Sequence, residues 1–195
     1  MSLNSRRCRN CRKKADGPGA FVSPIVAFCS YECLSAWNQT KAAKKQRLVA
    51  ERKVIRDQKD RLKKLSQWRK EAQASFNRYI RVRDSNKPCI SCGIELGKNS
   101  LGGTADASHY RARGSAPQHR FNLLNVWSSC KRCNRYLSGN LGPYRVELIN
   151  RIGLDRVEAL ENDNATKRHI NDVEYLRRIK RIFNKRARIY EKLFR

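Results

Sequence analysis

The sequence has few acidic residues and no long apolar run. Its 17 Asp and Glu residues stand against 44 Lys and Arg residues, which gives a net charge of +27. No segment approaches the roughly 20 consecutive apolar residues of a membrane-spanning helix, and the opening MSLNSRRCRN lacks the apolar core of a signal peptide. We therefore expect a protein that stays in a reducing cytoplasm, enters no membrane and binds a polyanion, with nucleic acid as the leading candidate.

Glycine and proline are absent from Asn38 to Arg83, and their distribution helps to divide the chain. With 195 residues and 39% hydrophobic content, the chain can form one or two small domains rather than one large core. We predict an α+β, mostly helical fold in four parts. The parts are an N-terminal cysteine module (1–37), a long basic helix or coiled-coil linker (38–87), a small core with short strands (88–142) and C-terminal helices (143–195).

The uninterrupted stretch predicts a basic helix with a weak apolar seam. Residues 39–70 contain thirteen Lys or Arg residues and three acidic residues. Such a helix is either a solvated spacer or a surface that follows DNA or forms a dimer. Its apolar residues fall mostly at heptad positions: Leu48, Ile55, Leu62, Leu65, Ala72, Phe76 and Tyr79.

A second apolar stripe lies near the C-terminus, at mostly three- and four-residue steps. It predicts a helix face that packs on another helix, in the same chain or in a partner. Its members are Val173, Leu176, Phe183, Ala187, Tyr190 and Phe194.

All eight cysteines occur in close pairs, which is typical of metal sites rather than of disulfides in a reducing compartment. A tight C-x2-C turn directs two thiolates at one ion, and two such pairs complete a closed four-cysteine zinc site. Buried free cysteines would not explain the pairing. The chain order predicts two structural zinc ions, one bound by Cys8, Cys11, Cys29 and Cys33, the other by Cys89, Cys92, Cys130 and Cys133.

Candidate catalytic residues lie between and beside the second set of cysteines, in DASHY (106–110), RFNLLNVW (120–127) and CKRCN (130–134). Neutral His109 can accept a proton from water at physiological pH. Asp106 and Asn134 can supply oxygen ligands to a hard cation such as Mg²⁺. On a regular strand, Asp106 and His109 would face opposite sides, so we expect a strand end or a bulge there. Asn134 follows Cys133 directly, so a zinc site would fix its position.

These motifs resemble the HNH (ββα-metal) endonucleases, in particular zinc-containing members of the phage endonuclease VII type. The segments PCISCG, DASHY, APQHRFNLLNV, CKRCN and SGNLGPYRVELINRIG resemble, more closely, the lambda NinG (Rap) family of phage recombination endonucleases. The resemblance runs along nearly the whole chain. It implies a zinc-bound HNH nuclease core at 88–142, flanked by long basic helices and the N-terminal zinc module.

The resemblance also implies an activity, which is nicking of branched DNA, such as D-loops and Holliday-type junctions, with Mg²⁺ or Mn²⁺ in the host cytoplasm. Asp106 and Asn134 would bind the catalytic metal, His109 would be the general base, and Asn125 would orient His109, with Asn122 as a competitor for that last role. Trp127 departs from the wider family, where a histidine is expected, so we do not expect it to be essential.

Several basic and aromatic side chains flank the predicted centre. Five arginines are expected to meet phosphates: Arg111, Arg113, Arg120, Arg132 and Arg135. Tyr136 and Tyr144 can either stack on unpaired bases or pack in a core, and His119 is expected at the surface.

The expected partners are branched DNA, a second copy of the chain and phage or host recombination proteins. A symmetric junction favours a two-fold dimer with one site for each of two opposed strands. Two alternatives stay open: an HNH endonuclease that cuts plain duplex DNA, and a non-catalytic zinc protein that binds nucleic acid.

Overall fold

A computed structural model describes residues 6–97, 105–163 and 172–193 of the chain. Most of the described secondary structure is helical, with two small antiparallel sheets, which confirms the predicted α+β, mostly helical class. The chain divides into two compact units, Met1–Lys63 and Lys64–Arg195. Within the described ranges, no helix is both long enough and apolar enough to cross a membrane.

The first unit is a small hairpin followed by two helices. The hairpin turn is closed by Ser23, whose hydroxyl accepts a hydrogen bond from the Val26 amide. The first helix begins at Ser30, where the side-chain oxygen accepts from the Cys33 amide and so satisfies a free helix N–H. The elements are β1 (Phe21–Val22), β2 (Ala27–Phe28), α1 (Tyr31–Gln39) and α2 (Lys41–Leu62).

The second unit contains a longer hairpin and four helices. Its strands pair antiparallel, with Ala105 opposite Cys130 and His109 opposite Val126. The elements are α3 (Leu65–Arg83), β3 (Ala105–His109), a 3-10 turn (Pro117–His119), β4 (Val126–Cys130), a short π-helix (Arg132–Tyr136), α4 (Leu141–Ile152), α5 (Leu154–Asn162) and α6 (Val173–Leu193).

The predicted continuous helix between Asn38 and Arg83 is wrong at two points. Thr40 has extended backbone angles and caps α2 through its hydroxyl, and Lys63 and Lys64 are extended between α2 and α3. The Gln67 side chain accepts a hydrogen bond from the Lys64 amide and so caps the new helix. Side-chain caps therefore end and restart the helix without any glycine or proline.

The apolar seam of the basic stretch divides at the same place. Leu48 and Ile55 of α2 are half exposed and Leu62 is 83% exposed, whereas Phe76 of α3 is fully buried. In the core of the second unit, the α6 stripe packs on α3. The Phe76 ring meets Phe183 edge-on, with ring centroids 4.8 Å apart. The predicted packing face of α6 therefore lies against a helix of the same chain, and Phe194 lies outside the described residues.

The end of α3 fixes the position of β4. Buried Asp84 accepts hydrogen bonds from the Arg83 guanidinium and from the Ser128 amide, at 2.7 and 3.0 Å. Arg83 also donates to the Val126 carbonyl and lies 4.2 Å over the Trp127 ring. Because Trp127 is buried in a second core with Tyr144 and others, it acts as packing rather than as a site residue.

Candidate active site and metal centres

The eight cysteines form two clusters, each built from two cysteine pairs. Within each cluster the four Sγ atoms all lie within 4.8 Å of one another. Four thiolates bound to one tetrahedral zinc at about 2.3 Å would lie about 3.8 Å apart, so both clusters fit a closed zinc site. The grouping is the predicted one: Cys8, Cys11, Cys29 and Cys33 in the first unit, and Cys89, Cys92, Cys130 and Cys133 in the second.

The second cluster joins the end of β4 to the short π-helix. The Cys130 amide donates to the Cys89 sulfur at 3.2 Å, and the Cys133 amide donates to the Cys130 sulfur at 3.4 Å. N–H donation of this kind stabilises the thiolate form that binds a metal. Because Cys133 lies within Arg132–Tyr136, the cluster also fixes the backbone that carries Asn134.

Asp106 on β3 and Asn134 on the π-helix converge. The Asn134 Nδ2 donates to Asp106 Oδ2 at 3.0 Å. Rotation of the amide by half a turn exchanges its nitrogen for its oxygen, so the pair can present a carboxylate and an amide oxygen to one point. That donor set fits a hard divalent cation such as Mg²⁺, which keeps several waters and takes few protein ligands.

Arg135 occupies the same carboxylate. Its Nε donates to Asp106 Oδ2 at 2.6 Å and its Nη2 donates to Oδ1 at 3.0 Å, which makes a bidentate ion pair. These hydrogen bonds hold the pKa of Asp106 below its usual value. The Asp106 side chain is 18% exposed and that of Arg135 is 56% exposed, so the guanidinium closes the solvent side of the carboxylate and must leave before a cation can bind there.

His109 is the last residue of β3, which meets the condition that the sequence set for it. Its Nε2 lies 3.0 Å from the Arg120 carbonyl oxygen. A carbonyl can only accept, so Nε2 carries the hydrogen and the neutral ring has its lone pair on Nδ1. Burial lowers the pKa of His109 to about 4, and the charges of Arg113 and Arg120 lower it too, whereas the hydrogen bond to the Arg120 carbonyl raises it. The imidazole is therefore neutral at physiological pH, with a free acceptor nitrogen.

Among the hydrogen bonds of the described residues, none joins the Asn125 side chain to His109, so the direct orienting role that the resemblance implied has no hydrogen bond to support it. Asn125 is fully buried, and its side chain accepts from the Arg111 amide and donates to the carbonyls of Arg111 and His119. It therefore fixes both ends of the loop from 111 to 119. Since Arg120 follows directly and its carbonyl holds His109, Asn125 acts on the histidine indirectly.

The five flanking arginines do not share one environment. Arg111 is not a free phosphate contact, because its guanidinium donates to three backbone carbonyls around the end of α5, those of Leu160, Glu161 and Asp163. Sequence reasoning missed this because the acceptors lie some 50 positions away. Arg120 is half-buried, with Nη1 3.4 Å from Gln73 Oε1. The exposed members are Arg113, Arg132 and Arg135.

An open cleft of about 620 Å³ brings these features together. Its walls include His109 at the end of β3, Asn134 on the π-helix, and the guanidinium-bearing residues Arg113 and Arg120. Gly114 and Gly139 also line it. Such a cleft can hold an anionic group between a neutral imidazole and two arginines.

His119 differs from the sequence-based expectation, and the two tyrosines near the site differ from each other. His119 is buried rather than at the surface, with its Nε2 3.1 Å from the Asp163 carboxylate. It lies against the end of α5, to which Arg111 at the other end of the same loop is bonded. Tyr144 is fully buried and packs in the core, whereas Tyr136 is 81% exposed beside Arg135.

Comparison with known proteins agrees with these motifs. The family described as bacteriophage lambda NinG protein matches residues 1–192 of the chain. The relatives include protein ninG of Escherichia phage 933W, 47% identical over 119 residues, which cover 61% of this chain and 56% of the relative. Protein ninG of Escherichia phage lambda is 43% identical over 132 residues, which cover 65% of this chain and 62% of the relative.

Protein ninG of Salmonella phage P22 is 45% identical over 119 residues, which cover 55% of that relative. The chain therefore spans a little over half the length of the curated relatives that it matches. No solved structure matches the chain. The match of the family along almost all of the chain confirms the family that the motifs indicated, and the chain belongs to the bacteriophage lambda NinG family.

Proposed function

We propose that this protein is a metal-dependent DNA endonuclease of the HNH (ββα-metal) type that nicks branched recombination intermediates. The observation that carries the proposal is the joint placement of His109 and Asn134 on one cleft, with Asn134 bonded to Asp106. Two antiparallel strands followed by a short helix, braced by a four-cysteine cluster, support an HNH core. A non-catalytic zinc protein would need none of these three side chains together.

In the proposed reaction, His109 Nδ1 accepts a proton from a water molecule that attacks the phosphorus in line with the leaving 3′ oxygen. The Arg120 carbonyl keeps the Nε2–H tautomer, so the imidazole needs no rearrangement before it acts. Arg113 and Arg120 lie along the cleft and would neutralise the phosphate. The products would be 5′-phosphate and 3′-hydroxyl ends.

Asp106 and Asn134 would hold the divalent cation, Mg²⁺ or Mn²⁺, whose charge would stabilise the pentacovalent phosphate and the departing oxygen. The zinc ions would be structural, because four thiolates leave no open position for a water molecule. Arg135 would leave Asp106 for the DNA backbone when a cation and DNA enter together.

The preference for branched DNA rests on the family. No residue pattern in the chain encodes a junction, but the exposed Tyr136 is the last residue of the π-helix that carries Asn134, and an unpaired base could stack on it there. We propose further that two chains act on one junction in the host cytoplasm, with phage or host recombination proteins as partners. Cutting of plain duplex DNA is the second candidate, since the same catalytic residues would serve it.

The test is cleavage of a labelled four-way junction and a matched linear duplex by wild type and His109→Ala, with Mg²⁺ or without added divalent cation. EDTA is avoided because it would also remove zinc. Removal of a general base costs about 10² to 10⁴ in rate, or roughly 3 to 5 kcal/mol, so His109→Ala should bind the junction but cut it at that reduced rate. Unchanged zinc content and circular dichroism would show that the variant is folded.

Each other outcome has a defined meaning. Normal cutting by His109→Ala would remove the histidine from the mechanism. Binding by wild type without cutting under Mg²⁺ or Mn²⁺ would leave a zinc scaffold that binds nucleic acid. Equal cutting of junction and duplex in competition would support nuclease activity but would favour the alternative, an endonuclease that cuts plain duplex DNA.

A further inference from the structure

Five cations form a line along the exposed side of α6. They are separated by three or four residues, so they fall on one face of the helix. The line is Arg178, Arg181, Lys185, Arg188 and Lys192, and all five are exposed. At 1.5 Å per residue the line is about 21 Å long, which is the axial length of about six base pairs of duplex DNA.

The other face of α6 is already used. Leu176, Phe183 and Ala187 are buried against α3, roughly opposite the line of cations. A basic amphipathic helix can lie on a membrane, but only if its apolar face is free to enter the lipid. The packing on α3 removes that possibility for α6.

The remaining cations of α6 have partners inside the protein, whereas those of the line have none among the described residues. Arg177 pairs with Glu174, Lys180 pairs with Glu71, and Arg186 lies over the Phe183 ring. Among the residues that the structure describes, none bonds or pairs with the five side chains of the line. Glu174, one turn before Arg178, is acidic and on the same side, but it is engaged by Arg177.

Five like charges so close together repel one another and destabilise the helix unless a polyanion neutralises them. We propose that the exposed face of α6 binds the phosphate backbone of duplex DNA, as a second contact surface away from the catalytic cleft. This inference rests on the proposed function for the identity of the polyanion as DNA. It adds a site at which a duplex arm is held while a strand is cut in the cleft.

The test compares three full-length proteins for binding to a labelled linear duplex across a range of salt concentrations, without added divalent cation so that no strand is cut. The neutral variant carries Arg181→Gln, Lys185→Gln and Arg188→Gln. The control variant carries Arg181→Lys, Lys185→Arg and Arg188→Lys, which preserves every charge. Thermal melting shows whether all three are equally folded.

Each phosphate contact contributes about 0.9 to the slope of log K against log salt. The slope of the neutral variant should therefore be smaller in magnitude by about 2.7, and its affinity at about 0.1 M salt should be lower on the order of 100-fold. The control variant should have the slope and the affinity of the wild type. A slope unchanged in the neutral variant overturns the proposal, and so does an equal loss in the control. Cleavage is measured separately, so an active site that fails and a DNA surface that fails give different results.

Discussion

At the scale of single residues, Asp106 is bound by Arg135, whereas the proposed reaction needs its oxygens for a cation. The two cations therefore compete for one carboxylate. Arg135→Gln should tighten Mn²⁺ binding to the DNA-free protein, by up to about fivefold, because solvent weakens the hold of an exposed guanidinium on the carboxylate. Electron paramagnetic resonance of free Mn²⁺ during a titration measures the affinity.

Arg132 supplies the matched control for that experiment. It is exposed on the same short helix but does not bond to Asp106, whose side-chain partners are Asn134 and Arg135. Arg132→Gln removes the same charge and should change Mn²⁺ affinity less. If the two variants change Mn²⁺ affinity equally, the positive charge of the surface as a whole opposes the cation, and the ion pair between Arg135 and Asp106 has no specific effect.

The pKa of His109, lowered to about 4 by burial, sets the pH dependence. A general base must be neutral, so kcat/KM should rise with pH only near about pH 4 to 5 and be level by about pH 6. An acid limb near the ordinary histidine value of about 6.5 would contradict the buried environment. The free energy of unfolding should also rise with pH, because the folded state disfavours protonated His109. The contribution of His109 to stability is complete above about pH 6.5 and is lost as pH falls toward 4.

The sequence indicated Asp106, His109 and Asn134 as candidate site residues, and the structure bonds Asn134 to Asp106 and places His109 and Asn134 on one cleft. Asp106, His109 and Asn134 were predicted because the motifs place them beside cysteine pairs, and a metal cluster limits where neighbouring residues can go. The surface position predicted for His119 was wrong, and the bonds of Arg111 inside the protein were not foreseen, because the partners of both side chains lie at the end of α5, far along the chain. No spacing rule predicts such a contact.

At the scale of elements, the second cysteine cluster is expected to hold the π-helix Arg132–Tyr136, which carries Asn134, in place. Cys130→Ser should lower zinc content from two to one per chain, lower the melting temperature of the second unit by about 10 °C or more, and weaken Mn²⁺ binding at Asp106 and Asn134. Zinc is measured by elemental analysis and Mn²⁺ by the titration described above.

Cys11→Ser is the matched control, because it removes one thiolate from the other cluster in the first unit. It should also lower zinc content to one per chain, yet leave Mn²⁺ binding unchanged. Loss of Mn²⁺ binding in both variants would mean that zinc stabilises the whole protein rather than the π-helix Arg132–Tyr136 in particular.

The helices show which elements a sequence can predict. Apolar residues at three- and four-residue steps predicted a packing face on α6, and that face packs on α3. The break at Lys63 and Lys64 was not predicted, because neither residue is a helix breaker and the cap comes from the Gln67 side chain. The apolar residues after the break are buried in the core of the second unit, whereas Leu48 and Ile55 before it are half exposed.

At the scale of the whole molecule, the charge of +27 opposes self-association of the free protein. Exposed apolar residues on α2 favour self-association. Leu48, Ile55 and Leu62 recur every seven residues and are at least half exposed. DNA neutralises the charge, so the balance should change when a junction binds.

The expected result is a monomer at low salt without DNA and two chains on one four-way junction. Size-exclusion chromatography with light scattering measures both states. Leu48→Gln with Ile55→Gln should reduce the complex to one chain per junction, whereas Lys44→Gln with Lys45→Gln, on the same helix, should leave two chains. Because a two-fold junction offers two equivalent strands, loss of the second chain should also leave single nicks in place of paired cuts. A single chain on the junction for the wild type would assign the exposed apolar residues of α2 to a different partner.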